Sequence, residues 1–70
     1  MIKLYLNEKA TNEHYISKDK EFVIRRENGK TPNGNLLNNK WVLRNKDGKF
    51  IDFDQYRNDL AERNNMKLEH

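Results

Sequence analysis

Residues 41–53 read WVLRNKDGKFIDF, and the register in which this stretch folds back on itself decides which side chains face inward. An aromatic residue, β-branched and aliphatic neighbours and then Asp47-Gly48 make a strand that runs into a tight turn. A two-residue loop at Asp47-Gly48 would set Leu43 opposite Asp52 and Val42 opposite Phe53, with a carboxylate beside Trp41 and Leu43. A three-residue loop, Lys46-Asp47-Gly48 with Gly48 at positive φ, instead sets Leu43 opposite Ile51 and Trp41 opposite Phe53. Slipping by one residue exchanges every side chain between faces, so hydrophobic pattern selects the register. The three-residue loop is therefore expected. It places Trp41, Leu43, Ile51 and Phe53 on one face, and Val42, Arg44, Phe50 and Asp52 on the other.

The same pattern occurs earlier in the chain. FVIRRENGK at 22–30 matches WVLRNKDGK at 41–49, with aromatic, Val, aliphatic and Arg in order, then Asn/Asp-Gly-Lys. Two neighbouring strands under the same demands account for this without a solenoid, which needs more than two copies. Pro32 follows the first copy, and proline is confined to strand ends or edges, so TPNGNLLNN reads as loop with a short return strand or none. MIKLYL alternates Ile2, Leu4 and Leu6 against Lys3 and Tyr5, a half-buried strand. NEKATNE reads as loop. HYIS reads as a short strand turning through Lys18-Asp19-Lys20 into EFVIRR.

The C-terminal segment reads as a helix of eleven or twelve residues. Asp52 as N-cap with Gln55 three residues on makes a capping box, and Ile51 with Tyr56 makes a hydrophobic staple. Tyr56, Leu60 and Ala61 form its stripe, and Asp59 can pair with Arg63 at i, i+4. So narrow a stripe needs a sheet to pack on. The expected fold class is α+β: an antiparallel sheet of four to five strands, with the helix packed on the face of Ile2, Leu4, Phe22, Ile24, Trp41, Leu43 and Phe53. Residues 1–67 form one domain. Leu68, Glu69 and His70 resemble the start of a histidine tag and are set aside.

Composition narrows the function. The 70 residues contain no cysteine, which removes disulfides, thiolate zinc sites and thiol nucleophiles. Eleven asparagines favour turns and carry no further signal. No apolar run reaches the length of a membrane span and no signal-type start is present, so a cytoplasmic protein without membrane contact is expected. Residues 1–50 hold eleven Lys/Arg against six Asp/Glu, whereas 51–70 hold three against five, so the acidic end folds back on a basic body. His14 and Ser17 lack the partners a catalytic base or nucleophile requires. Turn and cap duties account for Asp47, Asp52 and Asp54, and GKT at 29–31 lacks the upstream glycine of a phosphate loop. No catalytic residue, metal or cofactor is expected.

What remains is a surface. The outer face would present Val23, Arg25, Val42, Arg44 and Phe50, with Lys30 and Lys49 beside the two arginines on one side or end of the sheet. Arginine and aromatic residues are enriched at protein interfaces, so a small non-enzymatic interaction or regulatory domain is expected, binding another protein through a sheet face or edge. Weak nucleic-acid binding by the basic face is the second reading. The first strand, as an open edge, is the expected route to a homodimer.

Overall fold

The computed structural model describes residues 1–7 and 13–69. Within them run β1 (Ile2–Leu6), β2 (His14–Ser17), β3 (Phe22–Lys30), β4 (Leu36–Asn45), β5 (Phe50–Asp54), α1 (Arg57–Arg63) and β6 (Met66–Glu69). The protein is a small α+β domain, with one six-stranded sheet in the order β5-β4-β3-β2-β1-β6. Strands β1 to β5 form an antiparallel meander, and β6 joins β1 in parallel. The sheet is thus mixed and wider than the expected antiparallel sheet of four to five strands. The polar NEKATNE segment falls largely on residues 8–12, outside the described residues.

The sixth strand runs from Met66 into Leu68 and Glu69, two of the residues set aside as tag-like. Met66 and Leu68 alternate with Lys67 and Glu69, and they pair with Ile2 and Leu4 on β1. Leu68 packs against the core, whose buried members are Leu4, Tyr15, Ile24, Trp41, Leu43, Leu60, Ala61 and Met66. Burying an aliphatic side chain such as Leu4 or Leu60 contributes about 1.5–3 kcal/mol. Parallel pairing needs a crossover, and α1 supplies it by carrying the chain from the β5 edge, over the inner face, to β6. Consequently β1 lies between β2 and β6, and the edges among the described residues are β5 and β6. Strand β1 is therefore not the open edge that the sequence suggested.

The two sequence copies lie side by side. Val23 pairs with Arg44, Ile24 with Leu43 and Arg25 with Val42, so both copies send their aromatic and aliphatic residues inward and their Val and Arg outward. Their glycines do different work. Gly48, at φ 82, closes the three-residue loop, with Asn45 donating to the Lys49 carbonyl at 3.0 Å. Gly29, at φ 120, sits instead at an irregularity in the β3–β4 ladder. The hairpin between those strands turns later, at Thr31–Asn35, where the Thr31 hydroxyl accepts the Asn35 N–H at 3.0 Å. Pro32 belongs to that turn, so β4 is long and begins at Leu36 rather than being a loop. The glycine-free turn after HYIS forms as read. Lys20 takes φ 61, and Ser17 Oγ donates to Asp19 at 2.6 Å while accepting the Phe22 N–H at 3.1 Å.

The decisive hairpin departs from its expected register. The three-residue loop is present and Arg44 pairs with Phe50, but a shift follows, after which Leu43 pairs with Asp52, Val42 with Phe53 and Trp41 with Asp54. Ile51 is the extra residue, 41% exposed. Past it the faces exchange: Phe53 goes outward with Val42, and Asp52 and Asp54 come inward.

Arg63 makes those inward carboxylates stable. Its Nε donates to Asp52 at 2.9 Å, one terminal nitrogen to Asp54 at 2.8 Å, and the other to the Phe53 carbonyl at 2.9 Å. Arg63 thus pairs with β5 instead of with Asp59. Asp52 and Asp54 are strand residues, so the capping box at Asp52 does not form. The helix starts four residues later than expected, at Arg57, and spans seven residues with Tyr56 as an N-cap lacking a side-chain bond. Tyr56 is 61% exposed rather than part of the stripe, whereas Leu60 and Ala61 are buried as expected. The helix ends through Asn65 at φ 57, the left-handed residue common after a last turn.

Candidate protein interface on the open sheet face

The helix covers one face of the sheet, and none of the other described elements covers the opposite face. Strand alternation and register assemble this outer face in rows. One row crosses five strands as Tyr5, Ile16, Val23, Arg44 and Phe50. The next reads His14, Arg25, Val42 and Phe53. Tyr5, Ile16, Val23, Phe50 and Phe53 are all half-buried, and the Phe50 and Phe53 rings lie 6.1 Å apart. An aromatic and aliphatic band therefore runs across the face, interrupted by the two arginines.

Its charge is biased. Lys3, Arg25, Lys40, Arg44 and Lys67 occupy outward strand positions against Glu27 and Glu69, an excess of three, and Lys18 and Asp19 lie together beside Tyr5 at the β2–β3 turn. Glu27 is held firmly. Both its carboxylate oxygens accept from Arg44 at 2.8 Å, and Arg25 adds a third bond at 3.2 Å. The Arg44 hydrogen bonds outweigh partial burial and hold the Glu27 carboxyl below its ordinary pKa, while raising that of the Arg44 guanidinium. Arg44 also donates to the Gly48 carbonyl at 2.8 Å, tying the face to the β4–β5 loop. Two rings are capped by cations, with Lys18 Nζ 5.4 Å from the Tyr5 ring centre and the Arg44 guanidinium 5.9 Å from that of Phe50.

Of the residues expected on this face, Val23, Arg25, Arg44 and Phe50 are there with accessible surface. Val42 points the same way but is 0% exposed, so it forms the floor of the face. Lys30 and Lys49 do not share one end of the sheet. Phe22 pairs with Asn45 and Lys30 with Leu36, which puts Lys30 and the Lys49 loop at opposite ends of the strands. Tyr5, Ile16, Phe53, Lys3 and Lys18 were missed. Alternation in β1 and β2 already implied Tyr5 and Ile16 once the inward residues were chosen, whereas the bulge at Ile51 concealed Phe53.

The residues weighed for catalysis do not converge. His14 lies on the outer face, with its Nε2 3.2 Å from Asn7 Nδ2, while Ser17 is buried on the inner side and engaged with Asp19 and Phe22. Among the described residues no group of three or more His, Cys, Asp or Glu side chains could hold a metal ion, and no helix is long and apolar enough to cross a membrane. Comparison with protein-family models, with curated proteins and with solved structures finds no match in any of the three.

Proposed function

We propose that this protein is a non-enzymatic interaction domain whose open sheet face binds an acidic, partly apolar surface of another protein. The observation that supports this is the coincidence, on one uncovered face, of a half-buried aromatic and aliphatic row with a positive excess of three. The apolar row supplies area to remove from water, and the surrounding cations select a partner of opposite sign and speed its encounter. A single-stranded nucleic acid is the weaker fit. Stacking needs free ring faces, and Lys18 and Arg44 already cover Tyr5 and Phe50.

Site-directed photocrosslinking tests the reading. A benzophenone side chain at Val23 samples the outer face, and one at exposed Glu62 samples the helix side. We expect a protein adduct from position 23 and none from 62. It should survive nuclease, be lost in the Lys3→Glu/Arg25→Glu double variant, and contain an acidic contact segment on peptide mapping. Adducts confined to position 62, adducts indifferent to the double charge reversal, or a nuclease-sensitive adduct to nucleic acid would each overturn the proposal.

A further inference from the structure

A second surface, on the helix side, carries charge that the fold does not use. Inward positions of β3 are Phe22, Ile24 and then Arg26, where alternation would call for an apolar residue. Arg26 lies with its guanidinium carbon 4.9 Å from the centre of the Trp41 ring, which is itself 3% exposed. Arg25, Arg44, Arg57 and Arg63 each have a carboxylate at ion-pair distance. Among the described residues Arg26 is the one arginine that has none. The contact with Trp41 anchors the guanidinium of this exposed residue, and a guanidinium without a carboxylate suits bidentate recognition of an oxyanion.

Arg26 opens into a groove of about 440 Å³ between the β3–β4 ladder and the start of α1. Arg57 lines it too, its guanidinium carbon 5.7 Å from the same Trp41 ring, with one terminal nitrogen held by Glu13 at 2.5 Å. Asn39, Gln55 and Asn58 add neutral amide donors, exposed Tyr56 adds a ring, and no carboxylate lines the groove. Glu13 stands in an adjoining groove that shares Arg26 and Asn39. There it offsets Arg57, so Arg26 remains the uncompensated charge. The volume falls in the range of small-ligand sites, roughly 300–1,000 Å³.

We propose that this groove binds a small phosphorylated ligand bearing a planar ring, a nucleoside monophosphate by chemical class, with the phosphoryl group on Arg26 and the ring against Tyr56. The site lies across the sheet from the proposed protein interface and stands independently of it. Amide groups that can both donate and accept suit the heteroatoms of such a ring, and Tyr56 offers a face not capped by a cation.

The test is an NMR titration of the ¹⁵N-labelled protein with adenosine 5′-monophosphate, with adenosine and inorganic phosphate run separately. The Trp41 indole N–H reports the site because the chain has one tryptophan, and the Tyr56 amide reports the ring contact. Both should shift saturably, with an affinity of about 1 mM or tighter in low salt. Arg26→Gln should weaken binding about tenfold, while Lys20→Gln, which removes one positive charge in the β2–β3 turn, should leave it unchanged. No saturable shift up to about 10 mM overturns the proposal. So does equal loss in both variants, or adenosine or phosphate alone matching the nucleotide.

Discussion

Replacing Asp52 by Asn keeps the side chain's shape and removes its charge. Where the bulge at Ile51 turns Asp52 inward, its carboxylate accepts from Arg63 at 2.9 Å, from the Asn64 amide at 3.0 Å and from the Phe53 N–H at 2.8 Å. An asparagine offers one acceptor oxygen for these three donors and turns an N–H₂ toward the rest. The side chain is 29% exposed, so solvent screens part of the Arg63 attraction. Losing one or two charge-assisted bonds at such a site costs about 1–2 kcal/mol. In a domain of this size that lowers Tm by about 5–12 °C.

The pH dependence carries the sign. Burial raises the Asp52 pKa, but the hydrogen bonds from Arg63, Asn64 and the Phe53 N–H prevail and hold it below its ordinary value. A carboxyl group lowered in the folded state contributes stability above its unfolded pKa of about 3.9, and loses it as pH falls through the folded value. Thermal melts followed by circular dichroism should therefore show the full gap between parent and Asp52→Asn at neutral pH, closing below about pH 4. Had the hairpin kept the uninterrupted three-residue-loop register, Asp52 would face outward and the substitution would be nearly silent. Equal melting at neutral pH, or a gap that persists undiminished into acid, refutes the reasoning.

Two further outcomes follow from the same structure. Glu27→Gln, at a side chain 15% exposed, strips Arg44 and Arg25 of their shared carboxylate and should cost about 1–2 kcal/mol in denaturant unfolding, the loss shrinking in acid because the Glu27 pKa is also lowered. Leu68→Asp puts a carboxylate against the core beside Leu4 and should detach β6, read as loss of hydrogen-exchange protection at β1 and β6 amides with the β3–β4 ladder still protected.

Local pattern revealed the elements whose signals are local. Alternation marked β1 and the inward sides of β3 and β4, and the Asp47-Gly48 turn formed with the loop length that its glycine implied. What escaped was non-local. Nothing in FIDFD signals an extra residue at Ile51. The bulge becomes favourable only because Arg63, eleven positions beyond Asp52, returns to neutralise the carboxylates that it turns inward. Judged by hydrophobic pattern alone, a carboxylate beside Leu43 counted against the observed pairing.

The capping box misled for the same reason, since Asp52 had a partner in space that its neighbours did not disclose. Strand β6 was hidden in four residues whose pairing depends on Leu4, some sixty positions upstream. The outer face was legible where it rests on β3 and β4 and illegible where it rests on Phe53. Arg26 announced nothing in sequence, being one basic residue among many. Its lack of a carboxylate is a property of the assembled surface.

The composition of the proposed interface depends on whether Phe53 belongs to the outer face, and nuclear Overhauser contacts settle that directly. Cross-strand partners bring their β-carbons to within about 5.5 Å. The Val42 methyl groups should therefore show strong contacts to the Phe53 ring, and the Phe53 ring further contacts to Phe50, with none between Phe53 and the Trp41 indole. Strong Trp41–Phe53 contacts without any from Val42 to Phe53 would contradict the account.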